Sequence, residues 1–495
     1  MMNTWTVLVI SGAVLAAAML FMCTRDDGIN NTDSGYTVES VGWDAESRAQ
    51  DADSTSTGDA EPAESQVPEE RMNKLPWLVW HGMSPTDPSK GHEISCLRGS
   101  CIVKSQHAQH APMYLNDNTR ALLMYGSGSK PEAAPLPRLK HHMWALLHEE
   151  SPKNNAMYSH DAGISLFNIT STFRQASDLP LTLQYLPNLD YLLSAAPVPV
   201  EQKNIYRNDE RHKLAAVAYI QSTCINPSYR DTYVKKLMEH IPVDALGECL
   251  NNRKLPEEYQ TPHAMFQQGF YDVLRKYKFI IAFENGICDD YITEKLWRPL
   301  HLGTVPIYRG APNVNEWLPT HRSALVYDEF ENPAALADYI KYLDSNDTAY
   351  REYLEYKKGP EYITNEKLKS SLEDRPYSAA NFEENASLFD ELSSKPNFIV
   401  AFECKVCDRV IERQQLERKH SEEGLPAPSP WIADSSHYGC PPPEEWRDEF
   451  ALGNGDVLDW RVDYDRGKRH ADALTRLILA NATHASQSHA SSWLS

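Results

Sequence analysis

Acidic and basic side chains crowd the stretch 283–299, FENGICDDYITEKLWRP, directly after the apolar run FIIAF at 279–283. Five apolar residues in a row suit a central parallel strand covered on both faces. Glu284 and Asn285 then fall at its carboxyl end, where open α/β sheets bind ligands in the crevice between loops. Thr293 can cap a helix that stops at Gly303, which turns the positive end of that helix toward the crevice. Such an end suits a phosphate, and Lys295 on the first turn adds a point charge for a diphosphate. Glu284, Asn285 and Glu294 supply acceptors for sugar and ribose hydroxyls. The segment reads as a nucleotide-sugar site without a glycine-rich loop; its spacing alone also fits a solvated strand–helix junction.

A second motif, HEESP at 148–152, ends another apolar run. It opens like the His-Glu-x-x-His zinc motif, but Pro152 stands where the second His must be, which excludes a zinc protease. Asp-x-Asp is expected of a metal-dependent sugar transferase; the DADS at 51–54 does not fit, because it sits in a segment with no core. Beyond Cys23 lie eight cysteines: Cys96, Cys101, Cys224, Cys249, Cys288, Cys404, Cys407 and Cys440. An even number in an oxidising compartment implies disulfides. CKVC at 404–407, with His420 and Cys440, is the alternative of a zinc half-site, at a spacing that common zinc modules do not use.

The elements that must position these motifs follow from pattern. LPWLVWHG, TRALLMYG and WALLHEESP look like short buried strands, and ISLFNITSTF and LTLQYLP continue the strand-and-loop texture. A Pro-rich polar stretch, 187–212, reads as linker. KLAAVAYIQ opens a second unit, followed by a helix with Tyr229, Tyr233, Leu237 and Ile241 on one stripe. FIIAF and VPIYRG flank the short helix already described, and NPAALADYIKYLDSN starts a later one. Alternating strands and helices mean parallel, doubly wound sheets. The tail beyond 376 reads as polar, with a cysteine-bearing hairpin near 400 and a helix at 470–480. Arg309 reads as a surface loop residue. The histidines His81, His141, His142 and His148 and the aromatics Trp80, Tyr125 and Trp144 read as core or surface rather than ligands.

Composition bounds the compartment and the class. At 495 residues, with 41% hydrophobic and 10% aromatic side chains, the chain can bury two cores. A net charge of −21 argues against non-specific nucleic-acid binding. Residues Trp5 to Cys23 carry no charge and are long enough for a signal anchor, with a cleaved signal peptide as the alternative. Residues 26–71 are strongly acidic and poor in large apolar groups, as expected of a disordered stem. Five Asn-x-Ser/Thr sequons, at Asn30, Asn168, Asn346, Asn385 and Asn481, agree with a secretory route.

The 283–319 stretch, FENGICDDYITEKLWRPLHLGTVPIYRGAPNVNEWLP, resembles the donor-binding signature of the alpha-1,3-fucosyltransferases, glycosyltransferase family ten. LHEESP, NITSTF, HIPVDALGECL and FECKVCD resemble the branch of the tenth and eleventh fucosyltransferases, also described as protein O-fucosyltransferases. The resemblance implies an α/β fold of GT-B type, two Rossmann-like domains facing across a cleft. It implies an inverting, metal-independent transfer from GDP-fucose, with no cofactor. Glu150 matches the family's general base, with Glu149 as competitor; Arg230, Tyr291, Glu294 and Lys295 match donor-binding positions, with Glu284 and Asn285 beside them. Gly286 departs from the family's Ser. The C-terminal Cys404 and Cys407 are implied to pair with Cys96 and Cys101, leaving Cys224 with Cys249 and Cys288 with Cys440.

The expected organisation is a cytoplasmic segment 1–4, a signal anchor 5–24, an acidic stem 25–72, an acceptor-binding domain 73–195, a linker 196–212, a GDP-fucose domain 213–375 and a C-terminal extension 376–495. The expected setting is the Golgi or endoplasmic reticulum membrane, type II, with the catalytic part luminal. The acceptor is a glycoprotein, either through GlcNAc of an N-glycan or through Ser/Thr of a disulfide-rich, EMI-type domain. The competing class is a non-catalytic luminal lectin or chaperone on the same scaffold, against which the retained Glu150, Arg230, Glu294 and Lys295 count.

Overall fold

The computed structural model describes residues 69–82, 91–106, 115–209, 213–261, 264–265, 267–375, 398–446 and 460–483. The expected anchor, all of the expected stem but Glu69–Met72, and the sequons at Asn30 and Asn385 lie outside these residues. Among the described residues no helix is long and apolar enough to cross a membrane.

Two sheets organise the chain. The first contains β1 (Trp77–His81), β2 (His92–Ser95), β3 (Ser100–Gln106), β4 (Thr119–Tyr125), β5 (Met143–His148) and β6 (Ile169–Thr172), in the order β2-β3-β1-β4-β5-β6. All its pairings are parallel except β2 with β3. The second contains β7 (Val217–Tyr219), β8 (Val243–Ala245), β9 (Phe279–Phe283), β10 (Val305–Arg309) and β11 (Leu325–Val326), ordered β11-β10-β9-β7-β8 and wholly parallel. Every residue of β5 and β9 is buried, as the unbroken apolar runs require of strands covered on both faces.

Helices cover the second sheet: α2 (Arg230–Met238), α3 (Gln268–Leu274), α4 (Glu294–Leu302) and α5 (Pro333–Ser345), preceded by α1 (Val200–Asn208). The expected linker therefore contains a helix. Pro199 starts α1, and Lys203 plugs it into the second domain by donating to Tyr277 O and Gly303 O at 2.8 and 3.1 Å. LTLQYLP forms turns rather than a strand, with Arg375 holding the carbonyls of Leu183 and Leu186.

The C-terminal region also departs from expectation. CKVC lies not in a hairpin but in a long helix, α6 (Phe398–Glu422). Residues three apart face opposite sides of a strand but share one side of a helix. Only the helix lets Cys404 and Cys407 reach Cys96 and Cys101 together, and both bonds form. α6 then packs Phe402, Val406 and Val410 against Trp80, Leu123 and Leu147 on one face of the first sheet. On the opposite face α7 (Trp460–Leu479) packs Ala471 and Leu474 into the cluster of Val79, Leu122 and Leu146. The extension thus supplies long covering helices that the short connections of β1–β6 do not.

Candidate functional site

The carboxyl ends of β9 and β5, one from each sheet, meet at the site. At β9, Thr293 caps α4 by accepting from Lys295 N, and Gly303 ends it in the left-handed region at φ 65°. Glu284 is fully buried beneath this turn, accepting from Thr293 N at 2.8 Å and from its hydroxyl at 2.9 Å. It supports the loop rather than presenting acceptors to a ligand. Lys295 Nζ stands 3.2 Å from Glu294 and 3.4 Å from Glu284. Burial opposes its charge, but Glu294 and Glu284 together outweigh that and raise the ammonium above its ordinary range. Burial likewise works against ionised Glu294, yet Lys295 and Arg298 bring it down to about 2.

Arg230 opens α2 beneath the same loop, donating to Thr223 O at 2.7 Å, with its Nε unpartnered. Asn285 Oδ1 accepts from the Tyr291 hydroxyl at 2.9 Å. That hydroxyl also lies 3.4 Å from Glu150 Oε2, which joins the loop between β9 and α4 to the first domain. Burial pushes the Glu150 carboxyl up, with Lys295 opposing. Glu149 is more deeply buried; it accepts from Tyr125 OH at 2.8 Å, leaves its other oxygen unpartnered, and is raised to about 7 by burial and then by Glu150. Of the two carboxylates, Glu150 is the one that faces Tyr291 and Lys295.

The residues named from sequence at the donor side, Glu284, Asn285, Tyr291, Glu294 and Lys295, come together, with Arg230 below them and Glu150 across from them. Several others were not legible. Asp290, at φ 65°, accepts from Gln175 N, Asn313 Nδ2 and Trp317 Nε1, and so ties the loop to the first domain. Asp289 pairs with Arg174 at 3.2 Å. Tyr185, in the turn-rich LTLQYLP, is held well above its ordinary range by burial and by the charges of Glu294, Glu150, Glu149 and Glu284, so it stays a donor among carboxylates. Arg309 is no surface residue: it is buried at the end of β10 and donates to Trp446 O, Ser228 O and Tyr233 OH. Gly286 gains a physical reason, since a Cβ there would stand 2.8 Å from the Cβ of Ser151 and 3.5 Å from the Trp446 indole.

Disulfides join Cys224 to Cys249 and Cys288 to Cys440, besides the two on α6. Cys224, Asp231 and Cys249 form the metal-like group among the described residues, but a disulfide has no thiolate to offer. The sequon at Asn168 is closed: its Nδ2 donates to Trp431 O and its Oδ1 accepts from Trp144 N, both at 2.8 Å, inside the fold. Asn346 caps a short helix through Ala349 N, and Asn481 is exposed.

Residues 210–383 match glycosyltransferase family 10 (fucosyltransferase), C-terminal part. A Danio rerio protein named GDP-fucose protein O-fucosyltransferase 3 is 44% identical over 411 residues, 82% of this chain and 83% of that protein. The chain belongs to glycosyltransferase family 10. Proteins of the same name from Gallus gallus and Mus musculus are 40% and 42% identical, covering 90% and 83% of this family 10 chain and 91% and 81% of their own lengths. A solved alpha1,3-fucosyltransferase with GDP-fucose aligns at TM-score 0.36 and 18% identity, over 60% of this chain and 84% of that one.

Proposed function

We propose that this family 10 protein transfers L-fucose from GDP-fucose to a Ser or Thr hydroxyl of a folded, disulfide-rich protein domain of EMI type, with inversion at the anomeric carbon. The observation that carries the reading is the facing of Glu150, two residues beyond β5, against Tyr291 and Lys295 at the mouth of β9. The acceptor oxygen attacks fucose C1, the C1–O bond to the β-phosphate breaks, and GDP leaves with the bonding pair. Glu150 takes the hydroxyl proton; burial holds its carboxyl above its ordinary range, which brings a general base toward the pH at which it must work. Negative charge growing on the β-phosphate falls to Lys295, Arg230 and the amide end of α4, with no metal in the reading. Lys295 exchanges its ion pairs with Glu294 and Glu284 for the diphosphate, while Asn285, Glu294 and Tyr185 offer contacts to hydroxyls.

The names of the relatives favour a protein acceptor over the O3 of an N-glycan GlcNAc. The reading keeps residues 5–24 as a type II signal anchor in the Golgi or endoplasmic reticulum membrane, and the disulfides support a luminal setting. Purified luminal protein offered GDP-fucose with an EMI-type domain and, in parallel, a GlcNAc-terminated N-glycan tests it. Transfer to the folded domain alone is expected. Transfer to the glycan alone would replace the acceptor assignment, and transfer to neither would remove the activity.

A further inference from the structure

Residues 433–446 belong to neither α6 nor α7, yet they touch both walls of the cleft. On the base side, the Tyr438 hydroxyl donates to the main-chain carbonyl of Glu150 at 2.9 Å. Burial raises that hydroxyl well above its ordinary range, so it remains a donor. The Tyr438 ring stacks on His148, two residues before Glu150, at 5.4 Å, and meets Phe173 at 4.9 Å. Phe173 in turn packs edge-on to Tyr291 at 5.1 Å. The arm is seated on β6 through His437 Nδ1 and Thr170 Oγ1 at 2.6 Å, and on the preceding turn through Ala433 N and Phe167 O at 3.0 Å.

On the donor side, Cys440 is bonded to Cys288, inside the loop between Asn285 and Tyr291. Six residues further, Trp446 O accepts from Arg309 Nη2 at 2.6 Å, at the end of β10. The Trp446 indole is buried and closes over Gly286, beside Ser151 of the first domain. One short arm therefore holds the base strand with one residue and the donor loop with two others.

We propose that Tyr438 is a positioning residue for Glu150, and that the arm 433–446, fastened by Cys288–Cys440, sets the distance between the base and the donor loop. The arm works through the peptide at Glu150 and through the loop backbone and touches no reacting atom. It fixes the near-attack geometry, in which a small misplacement of the base costs rate without changing how donor binds. The inference rests on the role of Glu150 given above. Its two halves separate in kinetics: loss of the Tyr438 bond disturbs the base alone, whereas loss of the disulfide frees the loop that binds the donor.

Tyr438→Phe and Cys288→Ser/Cys440→Ser, made in the full luminal protein, test it. Tyr438→Phe keeps the ring and removes one hydrogen bond, and is expected to lower kcat about tenfold with the GDP-fucose KM unchanged. The double Ser variant is expected to weaken GDP binding about tenfold by calorimetry, a readout that needs no turnover. A Tyr438→Phe protein with full kcat, or one whose only change is a lower Tm, overturns the positioning role. Unchanged GDP affinity in the double variant overturns the tether. Absence of fucosyl transfer in the wild type, with GDP binding still sensitive to the double substitution, overturns the function and leaves the tether standing.

Discussion

The donor wall comes from local sequence: Glu284, Asn285, Asp290, Tyr291, Glu294 and Lys295 lie within one strand–loop–helix passage. The base wall is one strand end, and its surroundings arrive from far away. Tyr125 comes from β4, Tyr291 from the other domain, Tyr438 from the C-terminal arm. The donor wall is self-paired, with Lys295 already neutralised by two carboxylates; the base wall leaves Glu149 with a buried oxygen lacking a partner. A self-paired cluster keeps its geometry while it waits for a charged ligand. A strand end whose carboxyls are raised by burial loses stability to keep them there, which under the proposed function suits proton transfer.

The contrast can be broken at the donor wall first. Under the proposed function, Lys295→Ala is expected to cost about 10²–10³ in kcat/KM, since it would remove the charge proposed to meet the departing β-phosphate. It also leaves Glu284 and Glu294 without their shared cation, so Tm should fall as well. A change in Tm without one in kcat/KM would mean that Lys295 serves the fold only.

Gly286→Ser restores the residue that the family pattern carries at that position. Its Cβ would meet Ser151 at 2.8 Å, and backbone at both walls must give way. Overpacking of this kind costs about 1–3 kcal/mol. The GDP-fucose KM is expected to rise about tenfold, measured by initial rates. A neutral result would show that Trp446 and Ser151 can part without disturbing the loop.

The smallest effect is a slope in pH. Glu149 and Glu403 each sit at about 7 rather than 4.5, chiefly through burial. Between those values the folded protein keeps protons that the unfolded chain has lost. Stability is therefore full below about 4.5 and falls as pH rises to about 7. Glu149→Gln and Glu403→Gln each remove part of that slope. Each variant should match the wild type in Tm at pH 4 and exceed it by a few degrees at pH 8. Parallel curves for wild type and variants would contradict the assignment.

What could be read from sequence follows the same division. The cap at Thr293, the stop at Gly303 and the fully apolar β9 are local signals, and each is where it was expected. The disulfide partners implied by the family resemblance are the ones that form. Asp289 and Asp290 tie the loop to the first domain, and nothing local signals it, because their partners Arg174 and Gln175 are more than a hundred residues away in the chain. Arg309 looked exposed because nothing nearby announces that Trp446 will cover it. The Cys-x-x-Cys segment reads from its polar surroundings as a hairpin, whereas its one-turn spacing puts both sulfurs on a single face of a helix. Asn168 carries a perfect sequon, and only the packing of Trp431 and Trp144 closes it.

The assignment of the proton acceptor to the first domain, across from the donor loop, is tested most directly by Glu150→Gln. Gln keeps the size and the contact with Tyr291 but cannot take a proton at working pH. Single-turnover transfer of fucose to the folded acceptor domain should fall about 10²–10⁴-fold, with GDP affinity unchanged and Tm no lower. Full turnover in Glu150→Gln, with the loss appearing instead in Glu149→Gln, would move the base one residue back along the chain and contradict the account.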